Sequence, residues 1–255
     1  MRGLGQSGFL VVTPWATVLF DPYLSDSLSK KYADTDKPHV RLTERVVDPG
    51  MLTGIDFITS SHNHTDHLDA ETLLPLFQAN PQAKLAIPRA NREFVLGRLG
   101  SVDDRLVMLD AAEAITHGGV TLHGIPAAHN TVERDEHGCC KFLGFVAMVG
   151  DLTLYHSGDT LMHDGLLPAL EPFRPIDVAF VPINGDKPER RVAGNLDGRE
   201  AAEVARHLDA RLAIPHHFDM FGFNTAAPDL FTTECRRLGQ PFEVLKNGQG
   251  IHVTR

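Results

Sequence analysis

The chain has 255 residues, 42% of them hydrophobic and 22% charged, with a formal net charge of −9. This composition excludes a chain disordered over most of its length, and the acidity argues against a general nucleic-acid or anionic-membrane binder. No apolar run approaches the 18 residues of a transmembrane helix, and the three cysteines, two of them adjacent at Cys139-Cys140, make no disulfide framework and point to a reducing cytoplasm.

Residues 1–12, MRGLGQSGFLVV, read as the first strand, because no small-residue cleavage site follows the short apolar stretch. Residues 9–13, 17–20 and 56–60 are rich in β-branched and aromatic residues and read as strands. Between them, residues 21–48 form a long polar loop holding Pro22 and Pro38, of the kind that is functional or mobile in a compact domain. Residues 69–77 read as a helix capped by Asp69, 84–87 as a strand and 89–99 as a helix. Strands follow at 107–109, 120–125, 143–149 and 153–156, punctuated by Gly118-Gly119 and Gly150. The second half alternates more regularly, with a buried-type strand at 178–181, a helix at 198–208, a strand at 212–214, a helix at 229–238 and a closing strand at 250–253. Strands in series with helices interspersed predict sheets covered by helices, in one domain spanning residues 1–255. Periodicity alone does not choose among such architectures.

The 14 histidines are unevenly spread. Directly after the strand 56–60 comes Ser61-His62-Asn63-His64-Thr65-Asp66-His67-Leu68-Asp69, a His-x-His-x-Asp-His pattern. An extended backbone sends alternate side chains the same way, so His62 and His64 reach one metal while Asp66 and His67, past the bend, reach a second. Imidazole with carboxylate suits zinc, manganese or iron. Further candidates follow strands. His129 comes after 120–128, Asp159 lies in Tyr155-His156-Ser157-Gly158-Asp159-Thr160, and the pair His216-His217 follows 212–215. Loops at strand ends converge on sites.

Taken in order, His62-x-His64-x-Asp66-His67, His129, Asp159 and His217 resemble the metallo-β-lactamase superfamily of metal-dependent hydrolases. Residues 155–160 and 214–221, with Leu4-Gly5-Gln-Ser-Gly8-Phe and Asp21-Pro-Tyr-Leu24, are similar to the branch that contains L-ascorbate-6-phosphate lactonase. The resemblance covers nearly the whole chain. It implies an αββα four-layer sandwich with two divalent metal ions at one edge of the two sheets. Carried over by position, His62, His64 and His129 hold the first ion, Asp66, His67 and His217 hold the second, and Asp159 bridges them. His217 is preferred over His216 because the branch's ligand stands two residues after the proline, which leaves His216 to packing or to support of a ligand. The family counterpart of Asp21 sits behind the ligands, which implies a hydrogen bond from Asp21 to a ligand histidine.

His156 flanks Asp159 and reads equally as support or as structure. Asn184, at the end of another strand, is a candidate pocket residue. Arg190 and Arg191, with Lys187, read either as a solvated loop or as a clamp for an anionic substrate. Two metals supply hydroxide at neutral pH, and Asp66 can orient it and carry its proton to the leaving oxygen. The leading expectation is a hydrolase of a lactone or other ester of a small anionic metabolite, with no nucleic-acid or membrane partner; the oligomeric state is open, and a homo-oligomer is compatible with it. The rivals are a phosphodiesterase using the same centre and a catalytically inactive metal-binding module.

Overall fold

The first twelve residues form a hairpin in the computed structural model, which describes residues 1–254. β1 (Arg2–Gly5) and β2 (Gly8–Val12) pair antiparallel across the turn Gln6-Ser7, where a single strand was expected. β3 (Thr17–Phe20) returns beside β2. The 21–48 stretch is a loop as expected, except for one short helix, α1 (Ser27–Lys31). β4 (Phe57–Thr59) then lies parallel to β3, followed by α2 (Ala70–Ala79), β5 (Lys84–Pro88), α3 (Arg92–Leu99) and β6 (Leu106–Leu109). The six strands form one sheet in sequence order, antiparallel over the first three and parallel over the rest.

The second sheet is built in the same way but runs in reverse order. β7 (Ala114–His117), β8 (Val120–Pro126), β9 (Leu143–Val149) and β10 (Leu152–His156) are antiparallel neighbours. After α4 (Leu166–Leu170), β11 (Val178–Pro182) pairs parallel with β10. α5 (Gly198–His207) then leads to β12 (Leu212–His216), parallel to β11, and α6 (Asp229–Leu238) follows.

The layers follow from strand alternation, since successive side chains point to opposite faces. In β3, Val18 and Phe20 face the second sheet and pack with Phe57, Phe145, Leu154 and Phe180. Leu19 faces the other way and packs with Ile58, Leu85 and the apolar stripes of α2 and α3, Leu73, Leu76, Val95 and Leu99. On the far side, Ala179 and Val181 of β11 meet Ala201, Ala205, Phe231 and Cys235 of α5 and α6. The result is helices, sheet, sheet, helices, the αββα arrangement. α5 begins on a capping box in which Asp197 accepts from the Glu200 backbone and Glu200 accepts from the Asp197 backbone.

Five elements differ from expectation. β7 is an edge strand whose residues are mostly exposed, so it lacks the apolar alternation by which strands are read. α4 and α1 have five residues each, too short to show a helical period. The helix expected over 89–99 opens with a 3₁₀ turn at Arg89–Asn91. The closing strand expected at 250–253 is reduced to a bridge between Gly250 and Arg2 and the bond from Ile251 N to Met1 O. Residue 255, the last of the expected domain, lies outside the described residues.

Candidate metal centre

The hairpin turn at Gln6 and the C-terminal ends of β3, β4, β8, β10 and β12 share one edge of the sandwich. They carry Gln6, Asp21, the 62–67 segment, His129, Asp159 and His217 respectively. Within each of three overlapping groups the donor atoms lie within 4.8 Å of one another: His62, His64 and His129; His62, His67 and Asp159; Asp66, His67 and His217. The seven residues expected at the metals are therefore gathered into one cluster. Asp159 is central, 3.3 Å from His67 Nε2, 3.4 Å from His217 Nε2 and 3.6 Å from His129 Nε2.

The cluster's backbone is shaped for this. β12 ends at His216, and His217 takes a left-handed φ of 60°, which sends two consecutive histidines in different directions. His216 stays inside the sandwich, stacked on His156 at 5.0 Å, with Nδ1 3.1 Å from Ser7 Oγ. His156 itself stacks on Phe20 and bonds through Nε2 to Ser7 O at 2.8 Å. Both support the floor of the site and neither is in a donor group.

Gly158, at φ 60°, makes the turn that presents Asp159; a Cβ there would stand 2.6 Å from Ser61 Cβ and 2.8 Å from Leu143 O. Gly158→Ala should therefore lower the unfolding free energy in urea by about 1–2 kcal/mol from the backbone conformation alone. It should also reduce bound metal, because Asp159 is the next residue. Undiminished metal content would show that the placing of Asp159 does not depend on this turn.

The ring nitrogens turned away from the cluster are held. His67 Nδ1 lies 2.7 Å from Asp21 Oδ2, His62 Nδ1 3.0 Å from Ser61 Oγ and His129 Nδ1 2.8 Å from Gly194 O. Asp21 is fully buried and also accepts from Thr59 Oγ1 at 2.6 Å, from the Ser61 backbone at 3.2 Å and from the Ser61 hydroxyl. It stands behind His67, as the resemblance implied. Such bonds fix ring orientation and tautomer.

Electrostatics divides the histidines. Burial, reinforced by the neighbouring imidazoles of His67 and His64, holds His62 well below the usual histidine range. Burial, with His129 beside it, pushes His64 down to about 4. Both rings are neutral at pH 7, with lone pairs to give. Burial would lower His67 too, but the charges of Asp159 and Asp66 and its hydrogen bonds outweigh it and hold the ring well above the usual range. Burial would likewise raise Asp66 and Asp159, yet the surrounding imidazoles keep both carboxyls below the usual range. Burial at His217 is outweighed by the same acids, which hold that ring above the usual histidine range, and its Nε2 lies 3.1 Å from Gln6 Nε2.

The donor set suits a divalent cation. His62 Nε2 is buried and makes no hydrogen bond, and His67 Nε2 and Asp159 Oδ1 are buried with only their 3.3 Å ion-pair contact to each other and no hydrogen bond. Buried polar atoms so poorly satisfied are costly, and a cation bound by imidazole and carboxylate satisfies them. The cluster floors a cleft of about 480 Å³, lined beyond the donors by Lys31, Tyr32, Lys37, His39, Phe94 and Arg98.

Three sequence candidates stand elsewhere. Asn184 lies behind the cleft wall, donating to Asn224 Oδ1 at 3.0 Å while accepting from Asn195. Arg190 points at the backbone, bonding Asn184 O at 2.7 Å and Thr225 O at 2.6 Å. Arg191 pairs with Asp36 on the opposing loop. Neither arginine lines the cleft, and their forks are held by loop carbonyls and a surface acid, which is the loop reading of this run and not the clamp. Sequence reasoning missed Gln6, whose amide touches both Asp66 and His217. It also missed the cations Lys31 and Arg98, which α1 and α3 bring to the cleft. The Gly5-Gln-Ser-Gly8 spacing marks a turn, but nothing in it shows that the turn meets residues 60 and 211 positions away.

The beta-lactamase superfamily domain family, Lactamase_B_2, matches residues 16–218. A UPF0173 metal-dependent hydrolase of Opitutus terrae is 31% identical over 98% of this chain and 97% of its own. Among solved structures, the chain is similar in fold to Igni18, a metallo hydrolase of Ignicoccus hospitalis, with a TM-score of 0.69 at 18% identity over 97% of this chain and 94% of that one. It is likewise similar to an isothiocyanate hydrolase from Delia radicum gut bacteria, with a TM-score of 0.74 at 16% identity over 97% of each chain. With the αββα sandwich and the histidine–aspartate cluster at its edge, these matches establish that the chain belongs to the beta-lactamase superfamily and, within it, to the UPF0173 metal-dependent hydrolases.

Proposed function

We propose that the protein is a two-metal hydrolase of a lactone or other ester of a small anionic metabolite. The single observation that carries the reading is the convergence of His62, His64, Asp66, His67, His129, Asp159 and His217 on the floor of one cleft. When bound, two divalent ions make water acidic enough to yield hydroxide near neutral pH and draw charge from the scissile carbonyl. The protein's own part is positional. His62, His64 and His129 would hold one ion and Asp66, His67 and His217 the other, with Asp159 within reach of both. Asp66, its carboxyl kept ionised by His67 and His217, accepts the proton of the attacking water and passes it to the leaving oxygen. Phe142, its ring 5.1 Å from that of His62 and 5.7 Å from that of His129, keeps water from the side of the first position. The adjacent Cys139-Cys140, which make no disulfide framework, support a reducing compartment, and among the described residues no helix is long and apolar enough to cross a membrane. The lactone preference draws on the likeness of residues 155–160 and 214–221 to the ascorbate-6-phosphate lactonase branch.

The anionic character now draws on Lys31 instead of Arg190 and Arg191; the other cleft cations, Lys37 and Arg98, donate to backbone carbonyls, Lys37 Nζ to Arg191 O and Arg98 Nη1 to Asn63 O and Leu68 O. Lys31 is exposed at the cleft and its Nζ makes one hydrogen bond, a long one of 3.3 Å to Thr65 Oγ1, so its charge is available to a ligand. Lys31→Ala should raise KM for an anionic substrate about tenfold, through loss of a charge-assisted bond of roughly 1.5–3 kcal/mol, and leave a neutral lactone nearly unchanged. A KM for the anionic substrate unchanged from wild type would remove Lys31 from recognition.

The reading is tested by assaying protein reconstituted separately with zinc, manganese and iron. The panel holds lactones, phosphodiesters, a β-lactam and an isothiocyanate. Lactone or ester turnover supports it. Phosphodiester turnover alone would replace it, and stoichiometric metal with no turnover on the panel would favour an inactive binding module.

A further inference from the structure

Gln6 ties together two residues of one metal position. Its Nε2 donates to Asp66 Oδ2 at 2.8 Å and lies 3.1 Å from His217 Nε2, while the Gln6 main-chain carbonyl accepts from the His217 backbone N–H at 2.9 Å. The side chain is buried, and the residue takes φ 49° in a two-residue hairpin turn, a conformation that favours Gly, Asn or Asp. His217 is left-handed as well, at φ 60°. Non-glycine residues persist in that region where the surroundings over-determine them.

The chemistry of the contact is specific. Asp66 Oδ2 accepts, so the nitrogen end of the amide faces it, and an amide nitrogen has two hydrogens and no lone pair. The same nitrogen stands 3.1 Å from His217 Nε2, so the amide occupies the space between two donor atoms that a metal ion would need. The first position has no counterpart to this. His62 Nε2 carries no hydrogen bond, and the outward Nδ1 atoms of His62 and His129 are anchored on Ser61 and Gly194. At His217 the pattern is reversed, with Nδ1 unpartnered and Nε2 engaged.

We propose that Gln6 makes the two metal positions unequal. The position at His62, His64 and His129 fills first. The position at Asp66, His67 and His217 fills only as the Gln6 amide is displaced, and so binds a divalent ion at least about tenfold more weakly. Gln6 is thus a positioning residue for the metal-poor state and a selector of metal stoichiometry. The inference rests on the two-metal reading above.

Equilibrium dialysis against graded Mn²⁺, with ion content by elemental analysis and the pairing of ions by electron paramagnetic resonance, tests it without an assay of activity. The wild type should bind one ion per chain well before the second. Gln6→Gly, which suits the turn's backbone, should leave the first step unchanged and tighten the second about tenfold, equivalent to about 1.4 kcal/mol. Gln6→Asn, whose shorter amide does not span both partners, should do the same and serves if the glycine variant folds poorly. An unchanged gap between the two steps in both variants would overturn the proposal. So would a weaker second step, which would show that Gln6 holds the ion through Oε1. Two ions of equal affinity in the wild type would overturn it and leave the hydrolase reading standing, whereas no bound ion would overturn both.

Discussion

Asp66→Asn should lower turnover by about 10²–10⁴-fold, the usual contribution of a positioned proton carrier. Asp66 is not part of the group formed by His62, His64 and His129, so an ion bound there should be retained in the variant. The change is nearly isosteric, and the amide can still meet Gln6. What it removes is the ionised oxygen that the imidazoles of His67 and His217 hold in its charged form. The measurement is kcat on the best ester of the panel, with metal content determined on the same sample. Turnover near wild type with one or two ions bound would remove Asp66 from proton transfer and leave it a ligand only.

Asp21→Ala should cost about 3–5 kcal/mol in the metal-free protein, because it strands a buried partner instead of removing a pair. Asp21 and His67 are both fully buried, and Asp21 also satisfies Thr59 and the Ser61 backbone. The variant should lose metal affinity about 10–100-fold, as expected when the group orienting a ligand histidine is deleted. The pH dependence has a definite sign. Burial would raise the Asp21 carboxyl, but its bonds from His67 and Ser61 and the nearby imidazoles hold it far below its ordinary value. Its contribution is therefore complete above about pH 4, the unfolded carboxyl value, and is lost as the pH falls below that. The stability gap between wild type and variant, from urea melts at a series of pH values, should shrink on the acid side. A gap that stays constant from pH 7 to pH 3 would show that the charge of Asp21 contributes nothing.

How much of this was legible in the sequence varied with how local each cause is. β3 and β9 were legible because each is an unbroken run of mostly apolar, mostly buried residues bounded by turns. His62, His64, Asp66 and His67 were legible because one loop carries four donors in six positions. Asp159 and His217 were visible only as donors after strands and through the family resemblance, since their convergence requires two sheets to align their edges. β7 escaped because an exposed edge strand has no apolar face to declare it. Arg190 looked like a free cation because a sequence does not show the carbonyls of Asn184 and Thr225 that occupy it. Lys31 and Arg98 escaped for the converse reason: each sits on a helix of ordinary composition, and only the packing of α1 and α3 brings them to the cleft. Gln6 was hidden most deeply, a polar residue in a turn whose two partners are both tertiary.

The most direct test of the two-metal account is an anomalous-scattering map from crystals of the protein reconstituted with Mn²⁺. The account predicts one peak bonded to His62, His64 and His129 and, at high Mn²⁺, a second bonded to Asp66, His67 and His217, with Asp159 between them. A manganese peak outside this cluster, or none within it at saturating metal, would contradict it.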